Sequence, residues 1–236
     1  MVIDTLLRRL SDHGFWAQGF ADDVVILING KFLNTVCELM QRALHLVQEW
    51  CEQVGLSVNP NKTTSILFTK NRNFDGFIKS SLFGSELELQ NQVKYLGLIL
   101  DSKLNWIIHI HDRLRNATIA LWQCRRAIGK TWGLKPKVVY WIYTSVVRPI
   151  LTYVAVLWWK KTTQLSVNRK IGSLQRLACM CVTGSMRSTP TSALEALLML
   201  PPLSIFIEKE SRQAAYRLKC KGKLNRVIVR DLFEGC

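Results

Sequence analysis

Gly19-Phe20-Ala21-Asp22-Asp23-Val24-Val25-Ile26-Leu27 is the stretch on which the reading of this chain turns. Two adjacent carboxylates stand between apolar runs, Phe15 to Phe20 before them and Val24 to Ile28 after. Short apolar runs on either side of a polar pair read as the two strands of a hairpin, the second strand buried on both faces. Unpaired carboxylates are costly to bury, so the pair is either an open turn or the seat of a cation. Aspartate is a common turn residue, and on the dipeptide alone the open turn is the stronger reading. The competing reading is a hard divalent cation such as magnesium, held by one or two carboxylates and completed by substrate phosphates. In two-metal phosphoryl transfer such carboxylates help to place both ions.

Outward from this hairpin, residues 2–10 have apolar positions at helical spacing, and Gly14 follows as a stop. From Lys31 to Gln53 apolar residues from Phe32 to Val54 recur at threes and fours, predicting an amphipathic helix closed by Gly55. Asn59-Pro60-Asn61 turns the chain, Thr64 to Thr69 reads as a strand, and residues 71–80 as loop. Leu87 to Leu89 and Tyr95 to Leu100 read as a further hairpin ending at Asp101. Residues 1–100 are thus expected to form an α+β layer. Beyond Asp101 the pattern turns helical: 106–130, 136–159, 167–182, 192–200 and, after Pro201-Pro202, a basic helix over 205–221.

Charge divides at the same point. The net charge of +15 is −1 over residues 1–100 and +16 over residues 101–236. A polyanion such as nucleic acid is the natural partner of the second half; a plain solvated basic surface or anionic lipid are the alternatives. Seven cysteines without CxxC spacing or a secretory leader read as reduced thiols of the nucleus or cytoplasm, mostly core filler, in a protein that is not secreted. His109 and His111 have no cysteine or carboxylate cluster beside them, so they read as surface or capping residues rather than zinc ligands. The tryptophan-flanked segment Trp141 to Trp159 is apolar enough to suggest a membrane span. Arg148 at its centre costs about 3 kcal/mol on insertion scales, which favours a buried helix pair broken at Pro149 and no membrane partner.

With the later segments added, the chain resembles the reverse transcriptases of non-LTR (LINE-type) retrotransposons. Phe20-Ala21-Asp22-Asp23 resembles their FADD box, and Gly55-Leu56-Ser57-Val58-Asn59-Pro60-Asn61-Lys62-Thr63 the next palm motif. Lys94-Tyr95-Leu96-Gly97-Leu98-Ile99-Leu100-Asp101 resembles the hairpin that grips the primer end. Leu104-Asn105-Trp106 with His109, and Val147-Arg148-Pro149-Ile150-Leu151-Thr152-Tyr153 with Trp158-Trp159, resemble the thumb. Leu174-Gln175-Arg176 through Pro190, and Leu200-Pro201-Pro202-Leu203, resemble the region that follows it. The resemblance covers almost the whole chain, and five matches in the family's order outweigh any one motif.

The resemblance implies an α+β fold: a partial palm over 1–101, with a small antiparallel sheet and packed helices. A mainly helical thumb follows over 102–160 and a basic helical connection segment over 161–236. It implies RNA-directed DNA polymerase activity, a nucleotidyl transfer dependent on magnesium, with manganese as a substitute, acting on an RNA template, a DNA primer and dNTPs. Asp22 and Asp23 would be catalytic metal ligands, with Lys62 beside the leaving pyrophosphate as a general acid. Tyr95, Leu96 and Gly97 would shape the primer grip. Arg113, Arg115, Arg125, Arg126 and Lys130 would give the first thumb helix a basic face for the template–primer backbone. The family's other metal-binding aspartate and its Gly-rich motif lie upstream of FADD and match nothing within residues 1–236, which makes this chain by itself an expected non-polymerase. The alternative is an inactive basic nucleic-acid-binding remnant.

Overall fold

The computed structural model describes residues 2–69, 77–126 and 134–221. It is an α+β chain that divides into two compact units: Met1–Tyr95 with Leu100–Leu104, and Leu96–Ile99 with Asn105–Cys236.

In the first unit, α1 (Val2–Asp12) leads into the antiparallel hairpin of β1 (Trp16–Phe20) and β2 (Asp23–Leu27). Helix α2 (Leu33–Val54) follows and packs on α1. Leu6 and Leu10 of α1 are buried with Ala43, Val47, Trp50 and Cys51 of α2, the spacing of one apolar helix face against another. Polar contacts tie the same pair together: Arg9 reaches Glu49 at 2.5 Å and Gln53 at 2.9 Å, and Trp50 Nε1 donates to Thr5 Oγ1 at 2.9 Å. Gly55 ends α2 in the left-handed region, at φ 71°, where its N–H donates to Cys51 O. Gly19 is required by closeness rather than by φ: a Cβ there would lie 3.2 Å from Leu7 Cδ1 and 3.4 Å from Ile3 Cγ2, where α1 crosses β1.

Three sequence expectations are corrected in this unit. Strand β2 is half-buried, not buried on both faces, because among the described residues its sheet has only two strands. Residues 64–69 form no strand; Ser65 makes a single parallel bridge to Leu89, with no continuous neighbour to extend it. The hairpin expected from Leu87–Leu89 and Tyr95–Leu100 is replaced by two shorter ones, β3 (Ser81–Leu82) with β4 (Ser85–Glu86), and β5 (Gln92–Tyr95) with β6 (Leu98–Asp101). Each turns on a two-residue loop with positive φ at both positions, Phe83-Gly84 and Leu96-Gly97. An X-Gly pair of that kind matches the twist of the flanking strands.

The second unit is helical. Helices α3 (Ile107–Arg126), α4 (Pro136–Ile142), α5 (Arg148–Thr152), α6 (Ala155–Trp158), α7 (Leu165–Thr183), α8 (Thr191–Leu197) and α9 (Leu203–Cys220) surround one core. Ile110, Leu121, Val147, Leu151, Trp158, Ile171, Ala178 and Ile207 are all but inaccessible within it. Among the described residues no single helix is long and apolar enough to cross a membrane. The bent pair Pro136–Thr152 and Ala155–Thr163 has the length and composition, yet Tyr143, Val147, Leu151, Ala155 and Trp158 all point into this core. Pro149 does not break the pair. A π-helical turn at Tyr143–Val147 precedes it, widening the backbone where the proline ring would meet the carbonyl four residues back. The 55° bend falls instead at Tyr153-Val154, where Val154 has φ 51° and Trp158 Nε1 donates to Tyr153 O at 3.1 Å.

Inside this core lies a polar centre built around one saturated amide. Gln175 is fully buried, and its Oε1 accepts from Tyr143 Oη at 2.8 Å and from Arg148 Nη2 at 3.1 Å. Its Nε2 donates to Glu195 Oε1 at 2.6 Å and to Pro201 O at 3.0 Å. All four bonding positions of the amide are used. The Arg148 guanidinium is also stacked on Phe206 at 4.3 Å and Tyr143 at 5.0 Å. Burial pushes the Tyr143 hydroxyl up to about 12, against the pull of Arg148, so it stays a neutral donor. Gln175→Leu keeps the volume but strands a buried guanidinium and a buried phenol. It should lower the unfolding free energy by about 2–4 kcal/mol in urea titrations; a loss under about 0.5 kcal/mol would show that the centre contributes no net stability.

Candidate active site

The carboxylates occupy the tip of the first hairpin. Phe20 pairs with Asp23 across the ladder, leaving Ala21-Asp22 as a two-residue loop. Ala21 takes φ 50°, a left-handed value that costs a Cβ-bearing residue and is characteristic of tight hairpin loops. Asp22 and Asp23 are both exposed. Their oxygens are hard donors of the kind a divalent cation takes. Among the described residues no third histidine, cysteine or acidic side chain gathers with them to complete a metal-binding group. The pair fits a divalent metal in donor type and would supply part of its coordination shell.

Lys62 closes the 3₁₀ turn Pro60–Lys62 and is exposed. Asn59 fixes that turn: its Oδ1 accepts from Asn61 N at 2.9 Å and its carbonyl from Thr63 Oγ1 at 3.0 Å. Lys62 makes no ion pair with either aspartate among the described residues.

The Leu96-Gly97 turn is held by the helical unit to which it belongs. Leu96 and Gly97 have φ 48° and 80°. Tyr153 Oη donates to Leu96 O at 2.6 Å, and its ring lies 3.5 Å from where a Gly97 Cβ would stand. On the following strand, Ile99 N donates to His109 Nδ1 at 3.3 Å. Tyr95 is half-buried, with its hydroxyl enclosed and without a hydrogen-bond partner among the described residues. His109 is therefore not the surface residue its polarity suggested: it is wholly buried against the hairpin strand. Its signal was present in the motif that begins at Leu104, as was that of Tyr153 in the motif that begins at Val147.

Of the arginines singled out on α3, Arg115 is open to solvent while bonding Asp112 at 2.9 Å. Arg113 is mostly enclosed, 2.6 Å from Asp112 and 5.6 Å from the Tyr153 ring centre. Partial burial raises the Asp112 pKa, but the hydrogen bonds and charges of Arg113 and Arg115 outweigh it and hold the carboxyl below its ordinary value. Arg125 and Arg126 fall in the last turn of α3; their side chains, and Lys130 altogether, lie outside the described residues.

Residues 1–100 match the family described as reverse transcriptase (RNA-dependent DNA polymerase). The putative 115 kDa protein in type-1 retrotransposable element R1DM of Drosophila melanogaster is 25% identical over 96% of this chain and 21% of its own length. The retrovirus-related Pol polyprotein from type-1 retrotransposable element R1 of Bradysia coprophila is 27% identical over 84% of this chain and 20% of its own. The RNA-directed DNA polymerase from mobile element jockey of Drosophila funebris is 28% identical over 84% and 21%. The chain thus spans about a fifth of the length of these three relatives. No solved structure matches it. The likeness to the reverse transcriptase family is thus carried by residues 1–100, and the chain as a whole is similar to proteins of non-LTR retrotransposable elements.

His109 makes a pH prediction. Burial pushes its pKa below the ordinary 6.5; the Tyr153 backbone beside it pulls upward, and Arg113 adds a further downward push. A depressed folded pKa means that the unfolded chain binds the extra proton first, so stability is present above 6.5 and is lost as pH falls below it. Protonation would also remove the acceptor for Ile99 N. The melting temperature should fall between pH 7.5 and 5.5. His109→Asn, whose Oδ1 can accept without titrating, should flatten that dependence; an unchanged slope in the variant would assign the acid loss to other groups.

Proposed function

We propose that this chain is the part of a LINE-type reverse transcriptase that carries the catalytic aspartate turn, the primer grip and the thumb. The observation that carries the reading is the tip of the first hairpin. Two adjacent carboxylates stand exposed there, Asp22 in the two-residue loop and Asp23 at the first position of β2, within the residues that match the reverse transcriptase family. Residues 1–101 act as part of the palm, 102–160 as thumb and 161–236 as a basic connection segment.

In the intact polymerase, Asp22 and Asp23 hold divalent magnesium, for which manganese can substitute. Bound there, such ions would supply Lewis-acid chemistry to a phosphoryl transfer, with the two carboxylates as part of their ligand set. Asp22 is the direct ligand and Asp23 the secondary one. Lys62, fixed on its 3₁₀ turn, offers a proton to the departing pyrophosphate. The Leu96-Gly97 turn offers the primer end the exposed, apolar Leu96 side chain and the Gly97 backbone, neither of which reads a base. The +16 of residues 101–236 meets the RNA template and DNA primer through phosphate contacts, with Arg115 an exposed cation midway along α3.

A second reading, a nucleic-acid-binding segment without chemistry of its own, draws on the incomplete carboxylate set. Two-metal transfer needs carboxylates from more than one strand to hold the ions a few Å apart, and successive residues of an extended chain point in different directions. Purified residues 1–236 should therefore show no primer extension on an RNA template with magnesium or manganese. Extension abolished by Asp22→Ala would mean that a carboxylate of this chain completes the site after all.

Binding itself should persist and depend on salt. Affinity for an RNA–DNA hybrid should fall with rising salt, the log–log slope approaching about −0.9 per phosphate neutralised, as on B-DNA. Salt-independent binding, or binding by residues 1–100 alone, would contradict the thumb assignment.

A further inference from the structure

We infer that Tyr153 is a positioning residue for the primer 3′ end, acting through the backbone of the Leu96-Gly97 turn. The inference rests on the reading of that turn as the primer grip.

A two-residue hairpin loop with both residues at positive φ leaves peptide groups at its tip that no ladder bond restrains. Here one of them is restrained from outside. Tyr153 Oη donates to Leu96 O at 2.6 Å, across 57 residues of chain, and the ring edge would be in van der Waals contact with a Cβ placed on Gly97, at 3.5 Å. The tyrosine is itself held on both sides. Its backbone carbonyl accepts from the buried Trp158 indole at 3.1 Å. Its ring carries the Arg113 guanidinium at 5.6 Å, and Asp112 fixes that guanidinium at 2.6 Å. A second tether runs in parallel, from Ile99 N to the buried His109 at 3.3 Å.

The tethers differ in what they can do. His109 is sealed in the core, so it acts with the fold. Tyr153 is 40% exposed and its hydroxyl bond is a surface bond, so removing it should move the turn while leaving the core intact. A primer terminus lying on the turn would sense that movement; phosphate contacts elsewhere on the basic unit would not. End recognition and duplex affinity are therefore separable, and the hydroxyl of Tyr153 controls the first.

The test uses the full chain and two fluorescent RNA–DNA hybrids of equal duplex length, one with a recessed DNA 3′ end and one blunt. The wild-type chain should prefer the recessed end. Tyr153→Phe, which keeps the ring on Gly97 and under Arg113, should lose that preference by about fivefold, the usual worth of one hydrogen bond, with melting temperature within error of wild type. A wild type that prefers recessed ends together with a variant that keeps the preference would overturn the role of Tyr153 and leave the primer grip standing. A wild type with no end preference would remove the primer-grip reading, and this inference with it. A variant that binds both hybrids more weakly by the same factor, or melts lower, would make the tyrosine a structural contact and overturn the inference.

Discussion

The helical unit depends on one buried amide. Gln175 stands in an otherwise apolar face of α7, among Ile171, Leu174 and Ala178, and no water is needed to satisfy it, because four protein groups do so. A guanidinium inside a core is tolerable only with oriented acceptors and aromatic faces around it. Gln175, Tyr143 and Phe206 supply these for Arg148. Through Arg148 the amide fixes the start of α5; through Glu195 and Pro201 it fixes α8 and the entry to α9. Arg176, the next residue, ties the chain between α7 and α8 by donating to the carbonyls of Arg187 and Thr189 and to Thr191 Oγ1.

The functional consequence is at the other end of α5. Five residues after Arg148 comes Tyr153, and its hydroxyl is what the Leu96-Gly97 turn rests on. A buried polar centre, a short helix started by an unusual π turn and a surface tyrosine thus form a relay from core to turn. Both turns given functional roles are two-residue hairpin loops opened by a non-glycine residue at positive φ, Ala21 in one and Leu96 in the other. That conformation is costly for residues with a Cβ and is characteristic of sites where backbone placement matters. In each case the residue that follows, Asp22 or Gly97, is presented at the tip.

Periodicity made the helices legible. The apolar repeat of α2 and its glycine stop, the basic α9 beyond Pro201-Pro202 and the helical change near Asp101 all follow from spacing and breakers. Strand pairing was less legible, since pairing depends on a neighbour the local sequence does not reveal. Thr64 to Thr69 has strand composition and finds only one bridge, while Ser81 to Glu86 has little strand composition and pairs because Phe83-Gly84 closes it. The aspartates were legible because two charges amid apolar strands are conspicuous. The side chains that hold the second turn were not, because each satisfies its polarity through a distant partner: His109 through Ile99, Tyr153 through Leu96, Gln175 through four groups at once. Polarity alone made His109 look like a surface residue, and only tertiary packing makes it a core one. A lone glutamine on the apolar stripe of α7 was the available hint.

The central claim, that this segment holds a primer terminus on the Leu96-Gly97 turn, is tested most directly by crosslinking. A DNA primer with a photoreactive 3′-terminal nucleotide, annealed to an RNA template and irradiated with the full chain, should modify the tryptic peptide 95–103, Tyr95-Leu96-Gly97-Leu98-Ile99-Leu100-Asp101-Ser102-Lys103. Crosslinks confined to α7 or α9, with peptide 95–103 unmodified, would contradict it.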